Sequence, residues 1–208
     1  MNRQIKKNEI RRLAYKAGII RISPLSLEEV QSVVNIKLEK LLKDIITYMK
    51  HKKRQTVTVE DCLKALPIKM VGVKSRKKGL KCKIKGSRSK RRSKPLKRKS
   101  RSRKQSPFSK IKFYQRQGLS CLTLSKENFR KIVKHITKDY FGPRVPGPAP
   151  QVRFSAESLN LLQSYIEGYI INLLERAKFI SIHAKRFTIQ PKDIHLIRKS
   201  DRDNWSRA

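Results

Sequence analysis

An eleven-residue stretch occurs twice in this chain, 132 positions apart. The first copy is His51-Lys52-Lys53-Arg54-Gln55-Thr56-Val57-Thr58-Val59-Glu60-Asp61, the second His183-Ala184-Lys185-Arg186-Phe187-Thr188-Ile189-Gln190-Pro191-Lys192-Asp193. His, Lys, Arg, Thr and Asp coincide, and Val57 matches Ile189. Each copy follows a long amphipathic segment and precedes a short one, which points to one supersecondary unit used twice. The same offset carries Arg21 and Ser23 onto Arg153 and Ser155. Matching cations at matching places of two units suit a molecule that grips something acidic.

The first unit reads as helix, loop, long helix, loop, short helix. Glu9 to Ala17 forms a short helix stopped at Gly18. Ser23-Pro24 marks a helix start, with Ser as cap and Pro in the first turn, and Glu28 and Glu29 are expected to suit the positive end of the helix dipole. Leu27, Val30, Val33, Val34, Leu38, Leu41, Leu42, Ile45, Ile46 and Met49 recur in steps of three and four, giving one apolar face on a helix of about 25 residues. Thr58 caps a third helix that ends at Pro67. The second unit repeats the plan. Glu127 to Tyr140 is amphipathic through Phe129, Ile132, Val133 and Ile136. A loop follows over the Gly/Pro-rich stretch 142–150. Ser155 then caps a long helix with a stripe at Leu159, Leu162, Ile166, Tyr169, Ile170, Leu173, Leu174, Ala177 and Ile180, and Pro191 opens the last helix. A three-helix unit cannot cover so long a stripe alone, whereas two such units can by crossing their long helices.

Lys and Arg number 53 against 15 Asp and Glu, a formal net charge of +38. Such a charge selects partners rather than folds, and polyanions, nucleic acid above all, are the natural match. No apolar run approaches the ~18 residues of a membrane span, the first residues lack the apolar core of a secretory signal, and no membrane partner is expected. Three cysteines (Cys62, Cys82, Cys121) with no CxxC argue against a disulfide framework or a zinc site. They read as reduced thiols of an intracellular protein. No HExxH, GxSxG or phosphate-cradling glycine loop occurs, so no enzyme, metal or cofactor is expected. Residues 74–104 hold 18 Lys or Arg and no acid, a block that cannot bury a core and is expected to be disordered when free or DNA-bound.

The residues go further. Ile10-Arg11-Arg12-Leu13-Ala14, Arg21-Ile22-Ser23, Asp44, Thr47-Tyr48, His51 and Lys53-Arg54-Gln55-Thr56-Val57-Thr58 closely resemble histone four, without a gap from Ile10 to Leu66. Phe129, Arg153-Phe154, Leu162-Gln163, Glu167, Tyr169, Ile182-His183-Ala184-Lys185-Arg186, Thr188-Ile189 and Pro191-Lys192-Asp193-Ile194 closely resemble histone three, without a gap from Arg153 to Ile194. A histone-four-like half fused ahead of a histone-three-like half looks like the histone doublets of giant DNA viruses of the Marseillevirus group. The resemblance implies an all-α protein of two histone folds (helix–loop–long helix–loop–helix), paired head-to-tail within one chain and joined by a basic linker. Its parts are a short basic tail over 1–8, a histone-four-like fold over 9–70, a linker over 71–110, and a histone-three-like fold with an N-terminal extension over 111–208. The helix that precedes the family's histone-three fold is not expected here, because Gly118 interrupts Tyr114-Gln115-Arg116. The loop over 142–150 is longer than the family's.

The resemblance also implies roles. Arg21 and Arg153 become the arginines that enter the minor groove. Lys53, Arg54 and Thr56 form one second loop, and Lys185, Arg186 and Thr188 the other. Arg11, Arg12 and Lys131, on first helices, touch phosphates. In a crossed pair the first loop of one unit lies beside the second loop of the other, so Arg21 should neighbour Thr188, and Arg153 should neighbour Thr56. Arg54 with Asp61, and Arg186 with Asp193, are seven apart across a loop and suit either an intrachain clamp or DNA contact. His183 suits either a core histidine or, with Arg186 and Asp193, the meeting of two histone-three-like units in a four-helix bundle. The implied partners are double-stranded DNA, a second copy of the chain, and a doublet resembling the other two core histones. The implied setting is the virion and the viral factory or nucleus of an infected cell. The linker serines Ser87, Ser89, Ser93, Ser100 and Ser102 sit where phosphorylation would lower net charge and loosen DNA. The competing reading is a histone-fold transcription regulator with sequence preference.

Overall fold

The computed structural model describes residues 4–66, 106–116, 122–141 and 152–205. The elements are α1 (Lys7–Lys16), β1 (Arg21–Ile22), α2 (Pro24–His51), β2 (Thr56–Val57), α3 (Val59–Ala65), α4 (Pro107–Arg116), α5 (Lys126–Phe141), β3 (Arg153–Phe154), α6 (Ala156–His183), β4 (Thr188–Ile189) and α7 (Pro191–Trp205). Helices therefore carry the architecture, and the strands are two-residue clips. Two units, each a short, a long and a short helix, share one continuous apolar core. Most of the linker, its five serines included, and the whole loop over 142–150 lie outside the described residues.

The long helices α2 and α6 are each 28 residues, about 42 Å at 1.5 Å per residue. All ten residues of the stripe expected on α2 are buried. On α6 the stripe is less regular: Leu159, Tyr169 and Ile180 are only partly buried, while Ile171 and the polar Gln163 and Glu167 are buried. The polar pair is buried because it holds backbone. Glu167 accepts hydrogen bonds from the Thr123 amide (2.8 and 2.9 Å) and the Leu124 amide (2.9 Å), and Gln163 donates to the Leu124 carbonyl at 2.9 Å. From the other unit, Glu9 of α1 accepts from the Ser125 amide and Asn128 Nδ2, each at 3.3 Å. Two carboxylates, one from α6 and one from α1, thus anchor the entry to α5.

Three helices end alike. After α1, the Gly18 amide donates to the Tyr15 carbonyl and the Ile19 amide to Ala14; after α2, Lys53 to Lys50 and Arg54 to Met49; after α6, Lys185 to Ile182 and Arg186 to Ser181. This pair of bonds needs a left-handed residue, and φ is +73° at Gly18, +52° at Lys53 and +54° at Lys185. Glycine takes that conformation freely, whereas the two lysines hold it at a cost.

Several local expectations are corrected. Ser23 occupies the N-cap of α2, but its side chain makes no cap bond; its amide donates to the Ile189 carbonyl, tying the helix start to the other unit. Ser155 does cap α6, accepting from the Ser158 amide at 3.1 Å. Glu28 and Glu29 lie beyond the first turn of α2. They serve instead as ion-pair partners, Glu28 to Lys7 at 2.6 Å and Glu29 to Arg198 at 3.9 Å, with the His195 ring nitrogen Nε2 3.5 Å from Glu29. A helix does precede the second unit: α4 ends at Arg116, two residues before Gly118, so the glycine does not interrupt it. It starts at Pro107, inside the segment expected to be linker. Ile111 is its buried residue, α4 packs on α1, and Tyr114 stacks on Tyr15 with ring centroids 6.0 Å apart.

Candidate nucleic-acid interface

The clips bring the loops together across the two units. Strand β1 pairs in parallel with β4, setting Arg21 beside Thr188 and Ile22 beside Ile189; β2 pairs with β3, setting Thr56 beside Arg153 and Val57 beside Phe154. Both neighbour relations expected from a crossed pair are present. The alternation explains the register: Val57 and Ile189 point into the core, at 0 % and 1 % exposure, so the neighbouring positions face outward.

Each end of the molecule therefore presents one first-loop arginine with one second-loop cationic turn. Arg21 and Lys185 are exposed at one end, Arg153, Lys53 and Thr56 at the other, and Thr188 is half-buried. The ends lie at opposite termini of α2, about 42 Å apart by helix rise, which exceeds one turn of duplex at ~34–36 Å. Between Arg21, Thr188 and α1 lies an open cavity of about 530 Å³ lined also by Arg11 and Tyr15. Arg11 and Arg12 are exposed on α1, with Arg11 donating to Asn8 at 3.3 Å. Lys131 is exposed on α5 and pairs with Glu127 at 2.8 Å.

The two second-loop arginines are clamps. Arg54 Nη2 lies 2.9 Å from Asp61 Oδ1, and Arg186 Nη2 lies 2.7 Å from Asp193 Oδ1. Asp61 Oδ2 also accepts from the Thr58 amide at 3.0 Å and hydroxyl at 2.9 Å. In the second unit Asp193 Oδ2 accepts from the Gln190 amide at 2.9 Å. Each aspartate thus ties the start of its last helix to the turn before it. Burial pushes the Asp61 carboxyl up, but the Thr58 bonds, then Arg54 and Lys52, outweigh it and hold the carboxyl below its usual range.

The self-association residues divide. His183 is exposed, which rules out a core histidine. Asp193 is 2 % exposed and engaged inside the chain. Around His183 the sequence reading missed an apolar surface: Phe179 (69 %), Ile182 (54 %), Phe187 (88 %) and Leu196 (54 %) are all exposed. The internal offset could have found it, because the matching positions in the first unit are Thr47, Lys50, Gln55 and Lys64, none of them apolar.

The comparisons with known families agree with this geometry. Residues 110–200 match the family model of the core histone domain. Residues 2–67 match the model of the TATA box binding protein associated factor (TAF) family. The chain is thus a fused double histone-fold protein: a histone-fold domain in its second half and a TAF-like, histone-fold-like domain in its first. This architecture is structural and DNA-binding rather than catalytic. Among the described residues no group of His, Cys, Asp and Glu could hold a metal ion, and no helix is long and apolar enough to cross a membrane.

Proposed function

We propose that the chain packages double-stranded DNA, acting as a preassembled pair of histone folds whose two clipped loop ends grip one duplex. The pairing of Arg21 with Thr188 and of Arg153 with Thr56 carries this reading. Arg21 and Arg153 insert into inward-facing minor grooves, while Lys53, Thr56, Lys185 and Thr188 meet the flanking phosphates, with Arg11, Arg12 and Lys131 adding phosphate contacts. Arg54 and Arg186 act mainly by shaping the turns they clamp. Two copies join through the surface of Phe179, Ile182, His183, Phe187 and Leu196 into a tetramer-like core. A doublet resembling the other two core histones then completes a nucleosome-like particle. The fusion order, histone-four-like before histone-three-like, supports placing the protein among viral histone doublets, with the virion and the viral factory or nucleus as its setting. Nuclease digestion of DNA reconstituted with the protein, with and without such a doublet, tests this. Protected fragments of defined length support packaging, and uniformly degraded DNA contradicts it.

The TAF-like match of the first half favours a second reading, a transcription regulator with sequence preference. It predicts strong discrimination among unrelated duplexes, whereas packaging predicts near-equal binding.

A further inference from the structure

One surface is not used by the duplex-binding reading. On α4, Phe113 is 58 % exposed. Its ring stands edge-on to Tyr114, with centroids 5.3 Å apart and planes at 82°. Tyr114 in turn stacks nearly parallel on Tyr15 of α1, at 11°. Three aromatic rings thus form a row across the α1–α4 contact. Cations border it: Lys110 Nζ lies 6.0 Å from the centre of the Tyr15 ring, Lys112 and Arg116 are exposed on α4, and Arg11 is exposed on α1. The acid on these two helices, Glu9, is 7 % exposed and already bonded to α5.

We propose that this row binds single-stranded DNA, stacking an unpaired base on Phe113 while the neighbouring cations hold the backbone. Exposed rings beside positive charge suit such a ligand, because every base offers an apolar face and every linkage a negative charge. The chain's own linker is a poor occupant, since residues 74–104 carry 18 Lys or Arg and no acid and would be repelled. Position favours DNA over an acidic protein: Tyr15 lines the same cavity as Arg11, Arg21 and Thr188, so the row continues the surface assigned to duplex phosphates. A strand that leaves the duplex at this end passes from Arg21 to Tyr15, Tyr114 and Phe113. The site accordingly rests on the duplex-binding reading for its place, though not for its chemistry.

The test is a competition among three ligands of equal total charge: a blunt duplex, a duplex with a single-stranded tail, and a single-stranded oligonucleotide. The full chain is compared with its Phe113→Leu, Phe113→Trp, Phe108→Leu and Arg21→Ala variants. Base–aromatic stacking is worth about 1–3 kcal/mol per base, so Phe113→Leu should weaken tailed-duplex and single-strand binding at least roughly fivefold. Blunt-duplex binding should not change. Phe113→Trp, which restores a stacking face, should bind the tail as well as the parent or better. Phe108 is as exposed, at 63 %, but lies about 140° around the helix at 3.6 residues per turn, outside the row; Phe108→Leu should bind every ligand like the parent. Arg21→Ala should lose blunt-duplex affinity and keep the preference for a tail. Equal loss on all three ligands in Phe113→Leu, or tail binding unaffected by it, overturns the site. So does displacement of the tail by an acidic peptide with Phe113→Leu behaving as the parent, which would make the row a protein-docking patch. Loss of blunt-duplex binding in the parent chain would overturn the packaging reading alone.

Discussion

At the residue scale, the two turns after the long helices are held in a costly conformation. Lys53 and Lys185 adopt φ near +50°, where a side chain costs about 1–2 kcal/mol that glycine avoids. Glycine loses more backbone freedom on folding, so Lys185→Gly should leave stability unchanged or raise it by up to about 1 kcal/mol, while weakening duplex binding. Thermal melting and DNA titration of the one variant would separate fold from function. A residue that only served the fold would not split them. Asp61 gives a pH prediction. Its carboxyl is held below the usual range in the folded chain, so its stabilisation is full above the unfolded value near pH ~3.9 and fades as pH falls through the lower folded value. Asp61→Asn should lose about 1–3 kcal/mol near neutrality and show a flatter acid limb in pH-dependent melting. Cys62, with 0 % exposure and a thiol pushed up to about 12 by burial and by Asp61, should resist alkylation until the chain unfolds. Peptide mapping after a timed reagent pulse reads this directly.

At the scale of elements, the entry to α5 is held by Glu167 and Glu9. Removing Glu167 leaves the buried Leu124 amide and the Thr123 amide without their acceptor, while Gln163 keeps the Leu124 carbonyl, so Glu167→Ala should cost about 1–3 kcal/mol. Hydrogen exchange should rise first at residues 123 and 124, whereas exchange rising uniformly across the molecule would contradict this local anchoring. Such anchoring was not legible beforehand. Glu9 and Glu167 are far apart in sequence, and a polar residue on an amphipathic helix reads as solvent-facing until the partner that needs it is placed. The long helices were legible, because a 3.6-residue stripe depends on nothing outside itself. The loop pairing was legible too, since the offset of 132 linked Arg21 and Thr56 to Arg153 and Thr188, and a crossed pair allows one arrangement of loops. Helix α4 was not, because it buries only Ile111 and its support comes from α1, through packing that includes the Tyr15–Tyr114 stack. Phe179, Ile182 and Leu196 lie outside the expected apolar stripes, and an apolar residue off a stripe shows that it is uncovered only once the neighbouring helices are placed.

At the scale of the whole molecule, the two units are similar in backbone and different in surface. The positions that expose Phe179, Ile182, Phe187 and Leu196 in the second unit hold Thr47, Lys50, Gln55 and Lys64 in the first. Self-association should therefore run through the second unit. Ile182→Ser with Phe187→Ser should abolish concentration-dependent association in sedimentation while leaving the intrachain pair folded, and persistent dimers would contradict it. The central claim is that the paired loop ends hold duplex DNA without regard to sequence. It is tested most directly by the affinity of the chain and of an Arg21→Ala, Arg153→Ala double variant for two unrelated duplexes across a salt series. Each cation withdrawn from the duplex, whether on a phosphate or in the minor groove between phosphates, releases fewer counterions and lowers the slope of log affinity against log salt by about 0.9. The account predicts equal affinities for the two sequences and a slope shallower by about 1.8 in the double variant. A tenfold preference for one duplex, or an unchanged slope, would contradict it.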